Sequence, residues 1–196
     1  MSELRRLCVY CGSSAGNRPG FADAADAVGR LLAESGIGVV YGGASVGLMG
    51  RVADAALRAG GEVIGVLPGK LFEREVAHAG LTELRVVSSM HERKALMSEL
   101  SDGFIALPGG YGTIEEVVEA VTWNQLGIHA KPVGLLDVDG YFDLLLAFLD
   151  RGVADGLLAP TSRALLHHDT DPTALLGQLR LAAGLPHAPE ADAPAP

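Results

Sequence analysis

The sequence is poor in aromatic residues, cysteine and positive charge, and each shortage closes off a class of protein. Five Phe, four Tyr and one Trp in 196 residues leave a core to be built from aliphatic side chains and alanine. Two cysteines in a chain of this length are no disulfide framework and suit a reducing cytoplasm. Fifteen Lys and Arg against 24 Asp and Glu give a formal charge of −9. That balance argues against nucleic acid or an anionic membrane as the main partner. No apolar run approaches the roughly 18 residues that a transmembrane helix needs. Arg5-Arg6 precedes only a short apolar stretch interrupted by Gly12, too poor for an export signal. A soluble, cytoplasmic protein is expected. What is plentiful is glycine, at 26 residues, nearly twice the roughly 7% of average usage.

Short apolar runs alternate with helical patterns along the chain. Strands are expected at Leu4–Cys11, Ile37–Tyr41, Val63–Leu67, Leu84–Val87, Phe104–Leu107 and Val133–Leu136. Between and after them, Phe21–Ser35, Leu48–Arg58, Met90–Leu100, Thr113–Gln125, Phe142–Arg151 and Pro172–Leu181 carry helical spacing. The strands read as continuous apolar runs, as strands buried on both faces do. The expected fold is α/β: one doubly wound, mainly parallel sheet with helices on both faces, in a single domain over residues 1–185. From Pro186 the composition is Pro, Ala and acid apart from His187, so 186–196 is expected to be a disordered tail.

Ligands of such sheets bind at the carboxyl ends of the strands. Three glycine-rich loops fall there: Gly12–Gly16, Gly42–Gly47 and Gly109–Gly112. Helix N-termini offer unpaired N–H groups and partial positive charge, and glycine admits a phosphate close to the backbone. An acidic protein can hold an anionic ligand this way. The usual nucleotide signatures are missing, since no G-x-G-x-x-G follows the first strand and Gly69-Lys70-Leu71 has no P-loop spacing.

The segment Pro108-Gly-Gly-Tyr-Gly-Thr-Ile-Glu-Glu116 resembles the P-G-G-x-G-T-x-x-E motif of the LONELY GUY (LOG) family. These are cytokinin riboside 5′-monophosphate phosphoribohydrolases, long labelled lysine decarboxylases. The resemblance runs from about Leu7 to Pro160. It takes in Val9-Tyr10-Cys11-Gly12-Ser13-Ser14, Tyr41-Gly42-Gly43, Gly47-Leu48-Met49-Gly50, Met90-His91-Glu92-Arg93-Lys94 and Trp123-Asn124-Gln125-Leu126-Gly127. It implies a Rossmann-like fold in a homodimer or larger assembly. It also implies hydrolysis of the N-glycosidic bond of cytokinin nucleotides and AMP, giving free base and ribose 5-phosphate without metal or cofactor. By matching positions, Glu75, Arg93, Lys94, Gly109, Gly110, Tyr111, Gly112, Thr113, Ile114, Glu115 and Thr122 would contact substrate, and Arg93 and Glu116 would be catalytic. The alternative is a non-catalytic nucleotide or molybdenum-cofactor carrier of the same fold.

The residues also admit plainer readings. Thr113-x-x-Glu116 and Ser89-x-x-Glu92 are capping boxes by spacing, so Glu116 stands between cap and catalyst, and Glu92 is read as a cap. Arg93 alone reads as a solvated helix charge or an interface ion pair. Cys8-x-x-Cys11 lies on a strand, where residues three apart face opposite ways, and is read as two core thiols. His167-His168 are read as surface residues and Trp123 as packing or interface. Gly12-x-Ser14-x-Gly16 has the spacing of a nucleophile elbow, but one strand alone precedes it and Pro19 interrupts the approach to the helix. The three lysines, Lys70, Lys94 and Lys131, form no evident pyridoxal-phosphate site. A carboxylate at Glu115 or Glu116 could stabilise an oxocarbenium-like C1′ or orient a water.

Overall fold

The computed structural model describes residues 4–69 and 77–184. Its strands are β1 (Arg6–Tyr10), β2 (Gly38–Tyr41), β3 (Val63–Pro68), β4 (Glu83–Val87), β5 (Gly103–Ala106), β6 (Val133–Leu136) and β7 (Leu166–Asp169). All pair in parallel, in the order β4-β3-β2-β1-β5-β6-β7. The helices are α1 (Pro19–Glu34), α2 (Gly47–Arg58), α3 (Met90–Glu99), α4 (Tyr111–Gln125), α5 (Asp143–Ala154), α6 (Pro160–Arg163) and α7 (Pro172–Ala183). The doubly wound sheet expected from the alternation is present. The proposed 186–196 tail lies outside the described residues.

The central strands are apolar throughout because both faces are covered. Every residue of β2, β3, β5 and β6 is buried. Along β1 the side chains divide by parity. Leu7, Val9 and Cys11 join α1, α2 and α7 in one core layer, while Cys8 and Tyr10 join α3, α4 and α5 in the other. The two thiols therefore diverge, as strand geometry requires.

Small residues let the first layer pack closely. Phe21, Ala25, Val28 and Leu32 form the buried stripe of α1, and a Cβ on Gly29 would strike the Val52 carbonyl of α2. The Ser89 hydroxyl caps α3 by accepting from the Glu92 amide at 3.1 Å. The Glu92 carboxylate accepts from the Ser88 amide at 2.7 Å and its hydroxyl at 2.6 Å. Ser89 is the cap, while the Glu92 carboxylate meets Ser88 rather than the Ser89 amide that the capping-box spacing predicts, and these bonds hold its carboxyl below the ordinary range.

The sheet has one more strand than the apolar runs indicate. β7 reads Leu-His-His-Asp and lies at the edge, paired with β6 alone. An edge strand needs few apolar residues. Here only Leu166 is buried, with His168 exposed and His167 half-buried, and burial pushes the His167 pKa down.

Candidate active site

The strand order reverses between β1 and β5, where the chain runs outward on either side. Ligand sites of open α/β sheets form at such a point, outside the carboxyl ends. Here the glycine loops lock onto one another. The Gly12 amide donates to the Pro108 carbonyl at 3.0 Å, and the Leu48 amide to the Gly12 carbonyl at 3.0 Å. Gly47 has a φ of 61° and packs against the Ser13 backbone, while a Cβ on Gly109 would collide with the Thr113 hydroxyl. Part of the glycine content thus serves close loop contact. Ser14, of the elbow-like spacing, accepts from the Gly16 amide at 3.2 Å in a local turn.

Helix α4 starts two residues before Thr113, with Gly110 as N-cap and no side-chain cap. Its first-turn amides have no intrahelical acceptor, and Gly110, Tyr111 and Gly112 are exposed, with Tyr111 98% accessible. This early start removes the capping box. Thr113 is the third helical residue and is buried, and Glu116 is the sixth, too deep to reach the N-cap amide. The glycine-rich N-terminus permits the extra half turn, which the Thr-x-x-Glu spacing does not anticipate.

Glu116 points instead at α3. Its Oε1 accepts from Arg93 Nη1 at 2.8 Å, and the two side chains are 10% and 11% exposed. Arg93 Nε donates to the Val66 carbonyl of β3 at 3.1 Å. The guanidinium lies over Gly42, where a Cβ would overlap Nη2. Arg93 is therefore a seated cation rather than a solvated helix charge. Burial raises the Glu116 pKa, and Arg93 opposes that shift without cancelling it. A buried ion pair is weak evidence for stability; a desolvated carboxylate beside a cation in a loop cluster is a mark of function.

Beside this pair, Lys94 Nζ reaches Glu115 Oε1 and Glu119 Oε2, each at 2.5 Å. Both contacts raise the Lys94 pKa, Glu115 most. Arg93, Lys94, Glu115, Glu116 and Gly109–Thr113 thus converge at the α3–α4 junction. Ile114 packs into the second core layer. Thr122 does not converge. Its hydroxyl donates to the Val118 carbonyl at 2.7 Å on the exposed side of α4, about 14 Å along the axis from Thr113 at 1.5 Å per residue. Glu75 lies outside the described residues.

Gly42 and the Val66 carbonyl are site components that residue type alone does not reveal. The Gly42-Gly43 pair signals a loop, but a phosphate contact and a seat for arginine are indistinguishable before the fold is known. A backbone carbonyl carries no sequence signal at all. Cys8 and Cys11 are free and buried, and burial raises both thiols well above their ordinary value, which leaves them unreactive. Trp123 is half-buried and edge-on to His129 at 6.3 Å.

A family model described as "Possible lysine decarboxylase" matches residues 49–179. The probable cytokinin riboside 5′-monophosphate phosphoribohydrolase LOGL9 of Oryza sativa subsp. japonica is 55% identical over 91% of this chain and 78% of its own length. The cytokinin riboside 5′-monophosphate phosphoribohydrolase LOG1 of Arabidopsis thaliana is 51% identical over 84% and 78%. Among solved structures, the molybdenum cofactor binding protein of Rippkaea orientalis aligns with a TM-score of 0.70 at 25% identity, covering 92% of this chain and 98% of that one. The carrier protein of Chlamydomonas reinhardtii aligns at 0.71 and 23% identity over the same shares, a likeness of fold. With half of each plant sequence shared over most of both lengths, the chain belongs to the LOG family.

Proposed function

We propose that the protein hydrolyses the N-glycosidic bond of cytokinin riboside 5′-monophosphates and of AMP. The observation that carries this reading is the buried Arg93–Glu116 pair beside the uncapped N-terminus of α4. The phosphate is held by the amides of Gly109–Thr113, where the helix dipole favours negative charge. That anchor places the ribose over the first turns of α4, within reach of Glu116. As the C1′–N9 bond breaks, its electron pair leaves with the base and positive charge develops at C1′. The Glu116 carboxylate stabilises that charge and takes a proton from the attacking water, whose oxygen bonds to C1′. The departing base takes up one proton, the equivalent of the one that Glu116 removed from the water, so neutral base and ribose 5-phosphate remain and the carboxylate is regenerated. Arg93 fixes the carboxylate from the rear through Nη1 while Val66 holds its Nε. Lys94 and Glu115 border the same opening. A pure carrier has no need of a desolvated carboxylate at this point.

We assign the assembly as a homodimer at least. Met90, Val118, Leu126 and Ile128 are exposed on or next to α3 and α4, and Thr122 shares that outer side. Thr122 reaches a nucleotide only across an interface between copies. The buried free thiols suit action in the cytoplasm.

Chromatographic assay of AMP and of an N6-isopentenyl analogue tests the activity, with the matching nucleosides as controls. Free base from the monophosphates, and little from the nucleosides, is the expected result. Tight nucleotide binding without base release would establish the carrier instead.

A further inference from the structure

The turn between β6 and α5 reaches over the site loop and touches it at one atom. Tyr141 Oη donates to the Gly109 carbonyl at 2.5 Å. Tyr141 lies 32 residues from Gly109 in sequence, outside the P-G-G segment.

The turn is built to deliver that hydroxyl. Asp139, at a φ of 54°, is the one non-glycine residue with positive φ among those described, and Gly140 follows at 69°. Two successive left-handed residues reverse the chain immediately before Tyr141, a conformation that persists only where its surroundings hold it. They do so here. The Asp137 carboxylate accepts from the Phe142 amide at 2.7 Å, and Arg18 Nη1 donates to the Asp139 carbonyl at 3.4 Å. The Tyr141 ring stands edge-on to Phe21 at 5.5 Å and to Phe142 at 5.0 Å, so its direction is fixed on two sides although the residue is exposed.

The contact has a directional consequence. The described chain has no cis peptide, and in a planar trans peptide the carbonyl of one residue and the N–H of the next point opposite ways. A hydroxyl that captures the Gly109 carbonyl therefore also aims the Gly110 amide, on the far side of the same peptide plane. Gly109 and Gly110 have no side chain to restrain that plane, and Gly110 is the N-cap of α4.

We infer that Tyr141 is a positioning residue for the nucleotide phosphate: it holds the Gly109–Gly110 peptide in the orientation that presents the Gly110 amide to the anion. This rests on the reading of Gly109–Thr113 as the phosphate cradle. Since one hydrogen bond is at stake, its loss weakens phosphate binding by roughly three- to tenfold.

The test is Tyr141→Phe, which removes the hydroxyl and keeps the ring contacts with Phe21 and Phe142. AMP hydrolysis is measured alongside inhibition by ribose 5-phosphate and by adenine. The expected result is a KM for AMP raised roughly three- to tenfold, a larger change than that in kcat. The inhibition constant of ribose 5-phosphate rises by the same factor, that of adenine stays put, and the melting temperature falls by no more than about 2–4 °C. Wild-type constants throughout would overturn the assignment. Equal weakening of ribose 5-phosphate and adenine would also overturn it, as a general loosening of the site. The cradle itself is tested on the parent enzyme. If that enzyme cleaves adenosine as well as AMP and ribose 5-phosphate does not inhibit it, the phosphate reading fails and Tyr141 falls with it. If the parent prefers AMP and Tyr141→Phe is silent, only the Tyr141 inference fails.

Discussion

Replacing Glu116 by glutamine separates chemistry from architecture at the one residue where sequence spacing leaves the two entangled. The capping role is removed by the start of α4 at Tyr111, so the structural role left is the bond with Arg93. Glutamine keeps the size of the side chain and an oxygen that can accept from Arg93 Nη1, which now lies 2.8 Å from the carboxylate. Removing one partner of a buried ion pair typically costs about 3–5 kcal/mol, because a bare charge remains. Here the loss is smaller. Arg93 retains the Val66 carbonyl, and the penalty that raises the Glu116 pKa, burial of its charge, disappears with the charge. A net change of about 1 kcal/mol or less is expected, a shift of about 2–4 °C in melting temperature for a chain of this size. Turnover behaves differently, because an amide cannot offset positive charge at C1′. A fall of about a hundredfold or more is expected, equivalent to about 2.7 kcal/mol in the barrier. Single-turnover release of adenine, AMP affinity and the melting curve, taken on the same preparation, resolve the two. Turnover within threefold of the parent, with AMP still bound, would refute the catalytic assignment.

Gly42→Ala places a Cβ on Arg93 Nη2 and 3.1 Å from the Met49 sulfur. A loss of about 1–3 kcal/mol in stability is expected, with at least a tenfold drop in kcat, and unchanged kcat would show that the guanidinium need not sit there. Because burial raises the Glu116 pKa, its working carboxylate is lost as pH falls through a value above the ordinary 4.5. The acid limb of kcat/KM should therefore have its midpoint above 4.5 and be absent in Glu116→Gln; a limb at or below 4.5 contradicts the assignment. The sign for stability is opposite to that of a salt-bridged acid with a lowered pKa, since ionised Glu116 weakens the fold once pH rises through its folded value. Finally, if backbone amides carry the phosphate, raising NaCl from about 0.05 to 0.5 M changes the KM for AMP less than about threefold, whereas a steep rise would expose an unpaired cation at the site.

The fold was legible because its signals are local and redundant. The buried strands β2, β3, β5 and β6 are apolar at every position, and β2 and β3 run directly into Gly42 and Gly69, so pattern and punctuation agree there. β7 escaped because pairing with β6 creates it, and its own Leu-His-His-Asp says little about a strand. The α4 motif marked the candidate loop, yet its spacing pointed to a cap, whereas the Glu116 side chain is bonded to Arg93 instead. The deciding partner, Arg93, is 23 residues distant and meets Glu116 only once α3 and α4 lie on the same face of the sheet. The Tyr141 contact lies further still from local pattern, since it depends on a left-handed turn that one aspartate and one glycine do not announce.

Charge is the quantity in which sequence and structure have to agree. Among the described residues, the two cations of the α3–α4 cluster are already matched: Arg93 by Glu116, and Lys94 by Glu115 and Glu119. Together these five side chains carry two positive and three negative charges when ionised, so the cluster is no reservoir of positive potential for a nucleotide. On the proposed reading the incoming phosphate instead meets uncapped helical amides, whose partial charges are fixed by the backbone. The same arrangement keeps Glu116 available, since a cation committed to the phosphate could not also orient the carboxylate. Holding the phosphate on dipoles and the carboxylate on Arg93 divides anchoring from chemistry. Such a division would let a chain with a formal charge of −9 work on an anionic substrate.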